Sequence, residues 1–217
     1  MNAGRRAQKA MQASAPRWPS GLVALSRELV DSVGQAGRSV VTVRGGDGLA
    51  ASGVHWRRGV IVTADHALDR DDKIDVELPD GGIVRGALVG RDRKMDLAVL
   101  RIRAVGLPTA RFGDAAALRV GHIVLAVGRH SERGLSASWG VISALGRRHA
   151  AAADGNRSIY LDLTIYPGFS GGPLVADGGR IVGINTLGSR GVALGIPNAV
   201  VEDAVSNLLQ ERRAWRD

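Results

Sequence analysis

The spacing of apolar residues changes twice along the chain, and each change marks a boundary. Leu22, Leu25, Leu29 and Val33 recur at the helical interval, with Arg27, Glu28 and Asp31 on other faces and Ser20 in position to cap. The pattern predicts a helix over 20–35, ended by Gly34 and Gly37. From Ser39 the residues become β-branched and alternate. Strands are expected at 40–43, 49–56, 60–63, 74–78, 83–89 and 97–102, divided by turn signals such as Arg57-Arg58-Gly59 and Asp80-Gly81-Gly82. A linker containing Pro108, Gly113 and Asp114 follows, then a second series at 123–127, 136–144, 159–163, 173–175, 181–187 and 192–196. From Pro197 the helical interval returns, with Val200, Val201, Ala204, Leu208 and Leu209 on one face. Two similar sets of short strands predict an all-β chain built as a duplicated β-barrel with short helices at both ends. The expected division is an arm over 1–19, a helix over 20–35, barrels over 36–108 and 109–197, and a helix over 198–217.

Composition sharpens this picture in three places. The 217 residues are 45% hydrophobic and 23% charged, which rules out wholesale disorder. Cysteine is absent, which excludes disulfides, thiolate metal sites and a cysteine nucleophile. The net charge of +8 is concentrated at the start, where Arg5, Arg6, Lys9, Arg17 and Arg27 precede the first acid, Glu28. Such an arm is a solvated tail or a contact for nucleic acid or an anionic membrane. Residues 1–20 lack the apolar stretch of a secretory signal and no run is long enough to span a bilayer, so the expected location is the cytoplasm.

The sharpest chemical signal is Gly168-Phe169-Ser170-Gly171-Gly172-Pro173. A serine among glycines lets backbone approach a substrate and lets a tight turn aim N–H groups at an oxyanion. The bland alternative is a glycine-rich hairpin with an incidental serine. The segment also matches the G-x-S-x-G elbow, whose class orders its triad serine, acid, histidine. All five histidines, His55, His66, His122, His130 and His149, precede Ser170, so that class is excluded and the order His-Asp-Ser stays open. His66 ends an apolar strand and is the best-placed base; the other four read as surface or structural. Asp96, the last polar residue before the run Leu97–Leu100, is the leading orienting carboxylate, with Asp92 and Asp65 as competitors. There is no HExxH, no P-loop and no dinucleotide fingerprint, so neither metal nor cofactor is expected.

Three segments together resemble the trypsin-fold serine proteases of the HtrA/Deg branch: Val62-Thr63-Ala64-Asp65-His66-Ala67, Asp96-Leu97-Ala98-Val99-Leu100 and Gly168-Phe169-Ser170-Gly171-Gly172-Pro173-Leu174-Val175. Ser52-Gly53-Val54, Val141 to Arg147 and Val182-Gly183-Ile184-Asn185-Thr186 agree, and the likeness spans about residues 36–205. The resemblance implies two six-stranded antiparallel barrels with the site between them. It also implies His66 as base, Asp96 as orienter, Ser170 as nucleophile, and an oxyanion hole at Gly168, Phe169 and Ser170, formed by the N–H groups of Gly168 and Ser170. A first specificity pocket at Ile165, Leu187 and Gly188, apolar and without an acid, suits aliphatic side chains. The implied substrates are unfolded or loosely folded polypeptides, and relatives commonly trimerise through N-terminal segments, here Trp18 and the helix over 20–33. Phe169 stands where relatives carry Asn, beside the nucleophile. It argues against zymogen-type activation and is the main support for a rival reading, an inert peptide-binding or chaperone-like module. Most relatives continue into a PDZ domain, and this chain is expected to act without one.

Overall fold

The computed structural model describes residues 19–46, 50–104, 106–147, 157–188 and 191–214. The basic arm through Trp18, and also Leu49 and His149, lie outside them. The described residues up to Val30 form one unit and those from Asp31 another; the second contains every described strand.

Among the described residues, twelve strands close into two barrels. The first contains β1 (Val40–Arg44), β2 (Ala51–Arg57), β3 (Val60–Ala64), β4 (Ile74–Glu77), β5 (Ile83–Asp92) and β6 (Leu97–Arg101), closed in the order β1-β2-β3-β6-β5-β4. The second contains β7 (Ile123–His130), β8 (Gly134–Arg147), β9 (Arg157–Asp162), β10 (Pro173–Ala176), β11 (Arg180–Leu187) and β12 (Ala193–Pro197), closed in the order β10-β11-β12-β9-β8-β7. Read around the ring, the two orders are the same, and every pairing is antiparallel.

Alternation fills each barrel. Val41 and Val43, Ile74 and Val76, and Ala98 and Leu100 sit two apart on their strands and meet with Ile61 in the first core. Val124, Ile142, Ile159, Leu161, Leu174 and Val182 build the second. β3 is buried at all five of its positions and β6 at its first four, which is why both read as unbroken apolar runs rather than alternating ones.

Among the described residues there are two α-helices, α1 (Ser20–Gly37) and α2 (Asn198–Ala214). α1 continues through Gly34, and its buried residues are Ser32, Ala36 and Gly37 rather than the leucine stripe; Leu22 is 49% exposed. Gly37 packs close to β8: a Cβ there would fall 2.4 Å from Leu135 Cδ2, so the leucine tip would have to shift. α2 starts as expected, with Asn198 Nδ2 donating to the carbonyls of Gly113 (2.7 Å) and Ile181 (3.2 Å), and buries Val200, Val201, Ala204 and Val205. Trp56, on β2, donates its Nε1–H to Glu202 of α2 at 2.8 Å. Among the described residues no helix is long and apolar enough to cross a membrane.

Candidate active site

β3 and β6 pair so that Ala64 lies opposite Leu97, and this register brings the residues just beyond β3 beside those just before β6. The Asp65 N–H donates to the Asp96 carbonyl at 3.2 Å, extending the ladder by one rung. The turn Asp65–Ala67 then presents His66 to Asp96. His66 Nδ1 lies 2.9 Å from Oδ1 and 2.8 Å from Oδ2 of Asp96, and the His66 main-chain N–H donates to Oδ1 at 3.0 Å. A carboxylate beside Nδ1 fixes the tautomer in which Nδ1 carries the proton and Nε2 can accept one. Asp96 adopts φ +61°, in the left-handed region, a strained conformation that Asp tolerates better than most residues. Its side chain is 13% exposed and that of His66 49%.

Thr186, at 0% exposure on β11, donates its hydroxyl to Asp96 Oδ2, so the second barrel also holds the carboxylate. Burial raises the Asp96 pKa. The side-chain hydrogen bonds from His66 and Thr186, the His66 N–H and the imidazole charge together outweigh it, and the carboxyl sits below its usual value. The competing carboxylates have other work. Asp92 Oδ1 accepts the N–H groups of Lys94 and Met95, shaping the turn before Asp96. Asp65 is held by Arg91, whose guanidinium donates to Asp65 Oδ1 (2.6 Å), Asp71 Oδ1 (2.7 Å) and the carbonyls of Asp65 (3.1 Å) and Leu68 (3.0 Å). Burial lowers the Arg91 pKa, but hydrogen bonds and charge from Asp65 and Asp71 prevail and hold it above its ordinary value. Arg91 thereby ties the chain following His66 down onto β5.

Ser170 lies on the loop between β9 and β10 and is 8% exposed. Its carbonyl accepts the Ser52 N–H at 3.0 Å, while the Gly171 N–H donates to the Asn185 carbonyl at 2.9 Å. Gly171 has φ +79°, and a Cβ there would sit 2.4 Å from the Ser52 carbonyl and 2.6 Å from the Ala64 N. The main chain next to Ser170 is thus in contact with the end of β3, two residues before His66. Among the described residues neither Gly168 nor Ser170 donates its N–H to a protein acceptor. Phe169 differs: its N–H donates to the Tyr166 carbonyl at 3.0 Å, so it supplies no donor to an oxyanion. The sequence places a bulky ring beside Ser170, but in the structure that ring is 6% exposed. It packs edge-on to Tyr166 with centroids 5.6 Å apart and so close to Gly128 that a Cβ there would fall 2.7 Å from Phe169 Cδ1.

The three residues expected at a specificity pocket differ in setting. Ile165 packs onto the second core, Leu187 is 40% exposed, and the Gly188 N–H donates to the Val192 carbonyl at 2.8 Å. His55 is buried and structural, with Nδ1 2.9 Å from the Pro108 carbonyl and Nε2 accepting the Gly59 N–H at 3.0 Å. His122 accepts the Arg119 N–H within a turn. His130, read from sequence as peripheral, places Cδ2 3.4 Å from where a Gly168 Cβ would sit, beside the serine loop. Thr186, Arg91 and Ser52 were not singled out by the sequence either; each acts on a partner too distant in the chain for spacing to disclose.

The trypsin-like peptidase domain family matches residues 51–184, a stretch that includes His66, Asp96 and Ser170. The chain belongs to this family, in its HtrA branch. A serine endoprotease DegS from Haemophilus influenzae is 36% identical over 167 residues, covering 73% of this chain and 49% of the relative. A probable periplasmic DegP-like serine endoprotease from Chlamydia pneumoniae is 35% identical over 164 residues, covering 73% of this chain and 34% of the relative. The chain therefore spans half or less of the length of these relatives. Among solved structures, the HtrA-type protease AlgW with a tripeptide superposes with a TM-score of 0.75 at 31% identity, covering 84% of this chain and 64% of that one. The serine endoprotease from Yersinia pestis gives 0.72 at 32% identity, covering 83% and 66%. The expected fold is thus the observed one, two closed six-stranded antiparallel barrels of trypsin-like HtrA type.

Proposed function

We propose that this serine peptidase domain is an endopeptidase of unfolded or loosely folded polypeptides, working through His66, Asp96 and Ser170. The observation that carries the proposal is the clamp on Asp96: His66 bonds it from the first barrel and Thr186 from the second. In this reading Ser170 Oγ attacks the scissile carbonyl while His66 Nε2 takes its proton. Asp96 stabilises the imidazolium, and the N–H groups of Gly168 and Ser170 receive the developing oxyanion. His66 then protonates the leaving amine, and water activated by the same imidazole releases the acyl group. Ile165 and Leu187, both apolar, support a preference for aliphatic residues at the cleaved position. The buried placement of the Phe169 ring weighs against the binding-only alternative, because the ring faces Gly128 and Tyr166 rather than standing over the serine.

Casein digestion tests the proposal. The wild-type chain is expected to degrade casein and Ser170→Ala to leave it intact; equal digestion by both, or by neither, would overturn it. Sequencing the casein fragments tests the preference, which basic residues at the cleaved position would contradict.

A further inference from the structure

We propose that Ser52 is a positioning residue that sets the oxyanion-binding turn. The proposal rests on the reading of Ser170 as nucleophile. Ser52 lies on β2 of the first barrel at 0% exposure, and each of its polar groups is hydrogen-bonded, the N–H and hydroxyl to the second barrel and the carbonyl within the first. Its N–H donates to the Ser170 carbonyl at 3.0 Å, its hydroxyl donates to the Gly168 carbonyl at 2.6 Å, and its carbonyl accepts the Thr63 hydroxyl at 2.7 Å. The direction of the hydroxyl is set from outside. Ser52 Oγ accepts the Arg129 N–H at 2.9 Å, which leaves its own proton for Gly168. Arg129 is in turn pinned by Nε to the Val40 carbonyl (2.8 Å), by Nη2 to the Gly37 carbonyl (2.9 Å) and by its own carbonyl to the Thr42 hydroxyl (3.2 Å).

The consequence follows peptide plane by peptide plane. The plane joining Gly168 to Phe169 is held at both ends, its oxygen by the Ser52 hydroxyl and its N–H by the Tyr166 carbonyl. The oxygen of the next plane, from Phe169 to Ser170, accepts the Gly172 N–H at 3.0 Å, which leaves the Ser170 N–H to point elsewhere. The Ser170 carbonyl is held by Ser52 again. Gly168, at φ +91°, is the hinge between these fixed planes and its own N–H. A fixed neighbouring plane turns that hinge into a defined aim, so the two free N–H groups converge without reorganising when charge develops. Without the Ser52 hydroxyl, the Gly168 carbonyl and the Arg129 N–H would both lose their partner at a part-buried site, and the first plane would be held at its N–H end alone.

The test compares wild type, Ser52→Ala and Ser52→Cys. Each is measured on a quenched fluorescent peptide taken from a casein cleavage site and on the aldehyde of the same peptide, with melting temperature recorded. Ser52→Ala is expected to lose about ten-fold or more in kcat, with KM within about two-fold, because the hydroxyl acts on transition-state stabilisation rather than on binding. Aldehyde affinity is expected to fall by the same factor as kcat/KM, since the hemiacetal carries the oxyanion. Ser52→Cys, retaining a weaker donor, is expected to fall between the two and supplies the same readout if Ser52→Ala fails to fold. A folded Ser52→Ala within two-fold of wild type in kcat, a loss confined to KM, or a Ser52→Cys equal to wild type overturns the proposal. Wild type that fails to cleave the peptide or to take a fluorophosphonate at Ser170 sinks the functional reading instead, so the two failures are separable.

Discussion

Asp96 is ionised against its own burial. Its surroundings push the proton on, and the hydrogen bonds from His66 and Thr186 push harder in the other direction. The folded-state pKa is therefore below the unfolded one. A depressed carboxyl contributes stability that is complete above the ordinary carboxylate range and is lost as pH falls through the folded value. Testable outcomes follow at this scale. Thr186→Val removes one of the bonds that lower the Asp96 pKa, so the midpoint of acid unfolding should move to higher pH, readable by circular dichroism. Asp96→Asn should keep the fold and lower kcat by about 10⁴, since an amide no longer selects the tautomer with a basic Nε2.

At the scale of elements, the register of β3 against β6 brings His66 to Asp96, and close backbone approach brings the serine loop to β3. Both were half legible in the sequence. The runs Val60 to Thr63 and Leu97 to Leu100 announce strands because every position is buried, and His66 and Asp96 stand out as the polar residues at their ends. That the strands are neighbours does not follow from their pattern. Gly171 stands out in the sequence within the glycine run around Ser170, but that run does not disclose that it has both φ +79° and no room for a Cβ. Gly171→Ala should therefore unfold the chain or abolish activity. Gly121→Ala, at φ +90° with open space around it, should cost only about 1 kcal/mol of strain. Similar melting temperatures for the two variants would contradict the packing argument. Arg91 is the matching device on the His66 side. Arg91→Ala should lower stability by about 2 kcal/mol and reduce kcat, because the part-buried carbonyls of Asp65 and Leu68 lose a charged donor. Arg91→Lys should recover the charge but not the fork that reaches all its acceptors.

Across the whole molecule, two barrels with one strand order meet along a seam of hydrogen bonds that cross from one to the other. Ser52 reaches Gly168, Thr186 reaches Asp96, and Arg129 reaches Val40. The duplication was legible because two series of short alternating strands, divided by a proline- and glycine-bearing linker, leave few other architectures open. The seam was not, because its partners lie 116, 90 and 89 residues apart and each sits in an ordinary strand or loop. The clamp on Asp96 drawn from both barrels is what makes a cleft between two barrels a candidate site for proton transfer. Its most direct test is reaction with a fluorophosphonate probe followed by peptide mapping. The account predicts one adduct, on Ser170, that disappears in His66→Ala and Ser170→Ala. A folded wild-type chain that takes no label, or a label on any other residue, would contradict it.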